Sequence, residues 1–423
     1  MGGPKTSLPG PNDILRVTLP NGIVVLAREN FNSPSVVIAG YFEAGAIFDP
    51  DEKLGLADFV SSALMRGTKK RSFDEIYQAL ESVGASLGFN TGVHKSGFNG
   101  RSLAEDLPLL LKLLAESLMQ PSFPKAEMEK LRAQILTALE IRAQDTSEMA
   151  SLLFDKILFQ GHPYSRPEDG YPETIQRITR EDLLRFHHEH YGPRGMVIAV
   201  VGAVKAEEAV RQVERALGSW QVKGQKEAPP LPPLKPLKKT ILKHHRIRGK
   251  VQADLIVGTS GPRRRDPEFL PALLGNNILG QFGLMGRIGD VVREKAGLAY
   301  YAYSSLNAGI GPGSWEVSAG VNPQNVKKTI SLIVDELTRF VQDGVTEDEL
   351  ADSQANFIGR LPLSLESNGG VANALLNIER HDLGLDYYQR YEEMVKNVTR
   401  EDVLSAARKF IDPAKLAIAV AGP

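Results

Sequence analysis

The chain has 423 residues, 42% apolar and 24% charged, with 50 Lys and Arg against 51 Asp and Glu. Its length exceeds one ordinary domain of roughly 100–200 residues, and a formal charge of -1 gives no electrostatic drive towards nucleic acid or an anionic membrane. Cysteine is absent, which excludes disulfides, thiolate metal sites, iron–sulfur clusters and a cysteine nucleophile, and leaves eight histidines and the carboxylates as metal ligands.

No apolar run reaches the ~20 residues of a membrane-spanning helix. The opening residues, MGGPKTSLPGPND, lack the apolar core of a secretory signal. The expected location is the cytoplasm, with the periplasm as the alternative if a signal has been removed. In chain order, ILRVTLPNGIVVLARE gives two alternating runs about Pro20, Asn21 and Gly22, a hairpin signal, and SVVIAGYFEAG gives a third strand. Helical periodicity covers 53–65, 72–83, 104–119, 125–141 and 147–159. Residues 178–201 read as a helix capped by Thr179, a short Pro turn and a buried strand. Residues 224–239, GQKEAPPLPPLKPLKK, form an extended, solvated connector. After it VQADLIVGTSG, YYAYSSLNAG and SWEVSAGV read as strands, with helices over 326–343 and 346–357.

The connector lies near the middle, and the two halves match. The hexapeptide from Ile178 to Leu183 (ITREDL) is answered by Val398 to Val403 (VTREDV), a shift of 220 residues. At the same shift Pro193 meets Pro413, and MVIAVVGAV from Met196 meets LAIAVAGP from Leu416. Register kept over this span marks an internal duplication. The expected fold is α+β: homologous domains over 1–222 and 240–423, joined by a Pro-rich linker at 223–239. Each is a mixed or antiparallel sheet covered by helices on one face.

The duplication, the opening hairpin and GLADFVSSALMRGTKKRS from Gly55 together resemble the M16 (pitrilysin and insulinase-like) peptidase family, above all its short bacterial members and the mitochondrial processing peptidase subunits. The resemblance spans the whole chain. It implies a zinc endopeptidase built from paired two-domain halves that close around a peptide. Active members carry His-x-x-Glu-His on a helix, where residues i and i+4 aim two imidazoles at one zinc and the glutamate serves as base. The corresponding positions here are Asp58, Ser61 and Ser62, and the later helix that supplies a third ligand carries Ala138. One carboxylate and two serines do not make a zinc site, so no metal is expected in this chain. The apolar stripe Leu56, Phe59, Val60, Ala63 and Leu64 survives, so the helix itself is expected to form.

In the second half GQFGLMGRIGDVVREKAGLAYYAYSSLNAG from Gly280 resembles the family segment that leads to an Arg and a Tyr seven positions apart, here Arg293 and Tyr300. In the family that pair holds the substrate carbonyl opposite the zinc, a role suited to two hydrogen-bond donors facing a developing oxyanion. The glycines Gly280, Gly283 and Gly286 are candidate substrate-binding positions by the same resemblance, and tight turns around a buried helix explain them as well. His187, His188 and His190 end a helix, where cations suit the dipole; the second copy has no histidine there, so they are not read as a metal cluster. His162 is expected to pack or turn the chain, and His244 and His245 to be solvated. Arg263, Arg264 and Arg265 read as a solvated loop.

The resemblance therefore implies the zinc-less subunit of a heteromeric M16 endopeptidase. Its catalytic contribution would be Arg293 and Tyr300, and its partners a homologous subunit holding His-x-x-Glu-His and zinc, and peptide substrates. Neither nucleic acid nor membrane is expected as a partner, and a homodimer of the chain alone that captures peptides without cutting them is a weaker third reading. The alternative is an inert structural or peptide-binding protein on the same scaffold.

Overall fold

The structure is a computed structural model and describes residues 8–283 and 286–423. Two sheets organise it. The first contains β1 (Leu15–Thr18), β2 (Val24–Glu29), β3 (Ser35–Phe42), β4 (Ser86–Thr91), β5 (Ser96–Leu103) and β6 (Val197–Gly202), in the order β1-β2-β6-β3-β5-β4. The second contains β7 (Ile241–Arg246), β8 (Ala253–Gly261), β9 (Ala299–Asn307), β10 (Gly313–Val321) and β11 (Ala417–Gly422), in the order β7-β11-β8-β10-β9. With β1 set aside, the two orders are the same.

Both sheets hold one parallel pair, β2 with β6 and β7 with β11, among antiparallel neighbours. The duplication is thus visible in topology as well as sequence. The helices Arg180–His190 and Arg400–Phe410 stand 220 residues apart, and each opens on a reciprocal capping box, Thr179 with Asp182 and Thr399 with Asp402. Such a box satisfies two otherwise orphaned N–H groups at each helix start.

The opening hairpin forms as its sequence predicts, with Gly22 taking the positive φ of 92° that the turn requires. The helix expected over 53–65 is shorter, Leu56–Ala63, with single 3₁₀ turns on either side. The sequence reading missed β4 and β5. Their stretch SLGFNTGVHKSGFNGRSL is rich in Gly, Asn and Ser, so neither apolar alternation nor β-branched enrichment marks it. It also missed the helices Phe269–Gly280, Asn368–His381 and Tyr387–Lys396.

The chain folds into two compact units that do not coincide with the halves on either side of the connector. Among the described residues the first unit takes those up to 139, 167–230 and 361–390; the second takes 140–166, those from 231 to 360 and 391–423. In the first unit one sheet face packs against the helices Leu56–Ala63, Leu107–Met119, Arg180–His190 and Ala206–Leu217, around Ile38, Phe42, Phe59, Leu110, Leu114, Phe186, Ile198 and Val213. The other face, which carries Tyr41, is covered by the helix Asn368–His381 from the second half of the sequence. A helix on each face extends the expectation of one covered face. In the second unit Ile256, Ala417, Ala419 and Ala421 pack against Ala150, Phe154, Ile157 and Leu158 of the helix Thr146–Leu158, which comes from the first half. The two exchanged helices are repeat counterparts, so both copies send the same element away. Nothing in periodicity reveals this exchange, because an amphipathic helix does not name the sheet it will cover.

The connector carries no regular structure, yet it is not wholly solvated. Gln225 is buried and hydrogen-bonds the backbone of Arg194, while Leu234 and Leu237 pack against the core of the second unit. No helix among the described residues is long and apolar enough to cross a membrane.

Candidate functional site

The helix Leu56–Ala63 is sound although it carries no imidazole. Gly55 enters it at φ 90°, and the buried carboxylate of Asp49 accepts from Gly55 N and Ala57 N, both at 2.9 Å, in place of a side-chain N-cap. Leu56, Phe59, Val60 and Ala63 are buried as the stripe predicts. On the other side of the helix, Ser61 is buried with an unpaired Oγ, and Asp58 and Ser62 are half-buried. Ala138 is exposed on the helix Lys125–Ala143 and offers no donor atom. Phe59 is overlaid by the Arg132 guanidinium, with Cζ 5.2 Å from the ring centroid.

Asp58 does not stand alone. Glu168 and Asp169, from a turn more than a hundred positions later, face it. Burial and the neighbouring Asp169 push the Asp58 carboxyl up to about 6. Burial, then Asp58 and Asp169, push Glu168 upward as well. The fully buried Tyr191 hydroxyl lies beside Asp58 and Ser61, and its own ionisation is driven up by burial. The sequence reading missed this group of carboxylates, since Glu168 and Asp169 belong to no motif. Among the described residues no set of three His, Cys, Asp or Glu side chains is arranged to hold a metal ion. The zinc that the family's active members bind has no fit here, because the cluster offers repelling carboxylates without an imidazole.

This crowding has a pH signature. Asp58 in the folded state holds its proton to about pH 6, whereas the unfolded chain releases it near the ordinary value of 3.8. Between those values the folded state binds more protons, so stability falls as pH rises through the window and stays lower above it. Asp58→Asn is therefore expected to stabilise the protein at pH 7.5 by about 2 kcal/mol, or roughly 5 °C in Tm, with the gain vanishing below about pH 4. Thermal melts of the two proteins across that range check this; equal melting at pH 7.5 would contradict the burial of the charge.

Two of the three histidines of Arg180–His190 are packing groups, His187 and His190, while His188 is exposed. His187 Nε2 lies 2.7 Å from Leu118 O, and burial lowers this imidazole to about 4. His190 sits between Phe48 and Phe186, with ring centroids 4.0 and 4.5 Å away, and burial lowers it to about 4 too. Both are neutral at pH 7, which corrects the expectation that they act as cations on the helix dipole. His162 accepts from Tyr164 N at 3.2 Å and packs on Phe159, turning the chain. Of the arginine run, Arg263 and Arg265 are exposed, and Arg264 lies over the Phe269 ring.

In the second unit the segment from Gly280 divides into a glycine turn, a short helix and a strand; Leu284 and Met285 lie outside the described residues. Gly280 ends the helix Phe269–Gly280, and a Cβ there would come within 2.3 Å of Ser304 N on β9. Gly286 has φ 62°, and a Cβ would meet Ile278 O at 2.4 Å. Close packing accounts for these two. Gly283 has φ 60° with open space around it. The helix Gly286–Gly289 continues as a π-turn over Asp290–Glu294, an irregularity that re-aims side chains and recurs at functional sites. Arg293 lies in that turn, its side chain one-third exposed and its Nε donating to Glu294 Oε1 at 2.8 Å.

Gly297, at φ 60°, then turns the chain into β9. Tyr300 occupies the start of this strand with 70% of its surface exposed. Strand alternation puts Tyr301 on the opposite face, where its hydroxyl donates to the buried Asp254, which also accepts from Thr146. β9 is an edge strand, so one row of its backbone N–H and C=O groups is open.

Residues 24–168 match the family described as Insulinase (Peptidase family M16), and residues 177–357 match the Peptidase M16 inactive domain. A protein of Streptomyces coelicolor named as an uncharacterized zinc protease is 27% identical over 421 residues, covering 98% of this chain and 90% of its own. Another so named, from Bacillus subtilis, is 24% identical over 400 residues, covering 94% and 95%. A crystal structure of a peptidase M16 inactive domain from Pseudomonas fluorescens superposes with a TM-score of 0.90 at 26% identity, covering 97% of this chain and 98% of that one.

Proposed function

Because the chain belongs to the M16 peptidase family, we propose that it serves as the zinc-less subunit of a heteromeric M16 endopeptidase. The observation that carries this reading is the contrast between the two units. The zinc positions hold Asp58, Ser61, Ser62 and Ala138, while the second unit keeps a donor pair at Arg293 and Tyr300 beside an open strand edge. A homologous partner with His-x-x-Glu-His would supply the zinc and the activated water. This chain would supply the opposite wall. An extended peptide pairs with the free edge of β9 through main-chain hydrogen bonds, which tolerates many side chains. The Arg293 guanidinium and Tyr300 hydroxyl then donate to the peptide carbonyl oxygen as it becomes an oxyanion. Glu294 competes for the guanidinium in the free chain, so substrate binding draws Arg293 from its neighbour. The scaffold alternative rests on the packing roles of Gly280 and Gly286, which need no substrate.

The purified chain alone is expected to bind no stoichiometric zinc and to cleave no peptide. Ser62→His by itself is expected to restore neither, since the other ligands remain missing. Elemental analysis showing one tightly held zinc per chain, lost in Asp58→Ala, would overturn this reading.

A further inference from the structure

The two sheets differ at one edge. In the first, β1 lies along the outer side of β2, with Leu15 opposite Ala27 and Val17 opposite Val25. In the second, the equivalent strand β7 is terminal, and no strand of the described residues pairs with its outer side.

The register identifies the open groups. Val24 pairs with Val197, and Ile241 with Ala417, its counterpart 220 residues on, so Val25 and Ala27 correspond to Leu242 and His244. Ile241 N donates to Leu416 O and Ile247 N to Gly422 O, both at 2.8 Å and both towards β11. The alternate residues Leu242, His244 and Arg246 therefore turn their N–H and C=O groups outward. Val25 and Ala27 are fully buried, whereas Leu242 is 56% exposed and His244 and Arg246 are also exposed.

The strand and the residues flanking it in sequence are basic. Between Glu227 and Asp254 lie seven Lys and Arg residues and no Asp or Glu, in a chain of net charge -1. Arg246 has no ion pair among the described residues.

We propose that the outer edge of β7 is a docking site for an acidic extended segment of another protein, added as a strand in the way β1 is added to β2. Antiparallel addition sets an apolar side chain opposite Leu242, a hydrogen-bond acceptor opposite His244 and a carboxylate opposite Arg246. Charge on an edge strand discourages indiscriminate pairing; here it excludes basic and neutral strands and admits an acidic one. Nucleic acid and anionic lipid answer the positive charge but make no use of the open backbone row or of Leu242. The site lies apart from Arg293 and Tyr300, and its test is independent of any catalytic role.

The probe is the capped peptide Thr-Asp-Thr-Glu-Thr-Val-Thr, mixed with the full chain and followed by amide hydrogen exchange. At ten times its Kd, exchange at Leu242 and His244 is expected to slow about tenfold. Leu242→Pro removes an outward N–H and leaves the β11 ladder intact, as edge strands tolerate, and is expected to abolish the protection. Arg246→Glu, which leaves the backbone unchanged, is expected to weaken binding about fivefold or more. A peptide with Lys in place of Asp and Glu should not bind. Unchanged exchange at Leu242 and His244 under saturating peptide, equal binding of the Lys peptide, or displacement of the acidic peptide by an oligonucleotide or phosphatidylserine vesicles would overturn the proposal.

Discussion

Expressed separately, residues 1–222 and 240–423 are expected not to fold as monomers, and to recover native-like structure only when combined. Each sheet is covered on one face by a helix from the other half. Removal of Asn368–His381 from the first unit uncovers the buried Val371, Leu375, Leu376 and Ile378 contacts. At about 1.5–3 kcal/mol for each large buried side chain, that loss is roughly 6–12 kcal/mol, comparable with the whole stability of a domain. It also removes Asn368, which donates to Ser35 O at 3.2 Å and accepts from Asn30 at 2.7 Å. Circular dichroism and size-exclusion chromatography of each fragment, alone and mixed, check this. Cooperative melting of 1–222 alone within a few degrees of the full chain would show that the exchanged helix is dispensable.

Within an active heteromer, Arg293→Ala and Tyr300→Phe are each expected to lower kcat on the order of 10²–10³-fold, the usual cost of losing one oxyanion donor. Tyr300 is largely exposed and Tyr300→Phe keeps the ring, so melting temperature should not move and the effect isolates the hydroxyl. Arg293→Lys should rescue poorly, because an ammonium lacks the planar fork of donors. Full activity in both Arg293→Ala and Tyr300→Phe would refute the assignment and favour an inert scaffold.

Much of this architecture is legible in the sequence, and the unread parts have physical causes. Regular alternation about Pro20, Asn21 and Gly22 gives β1 and β2, and the repeated Thr-Arg-Glu-Asp cap gives two helices whose structures match at the same shift. β4 and β5 escape because glycine and asparagine in SLGFNTGVHKSGFNGRSL carry no burial pattern. The helix exchange escapes because amphipathicity specifies that a face is buried, not against what. At the helix Leu56–Ala63 the absence of imidazoles is plain in the sequence, but the carboxylates that crowd Asp58 come from Glu168 and Asp169, brought there by the fold. The histidines His187 and His190 look cationic in sequence and are neutral in the structure because they are buried among Phe48, Phe186 and the backbone.

The most direct test of the central claim is the turnover of a fluorogenic peptide by this chain mixed with a homologous subunit that carries His-x-x-Glu-His. The account predicts cleavage by the mixture that neither chain shows alone, with zinc bound only in the homologous subunit. Equal turnover by that subunit in the absence of this chain would contradict it.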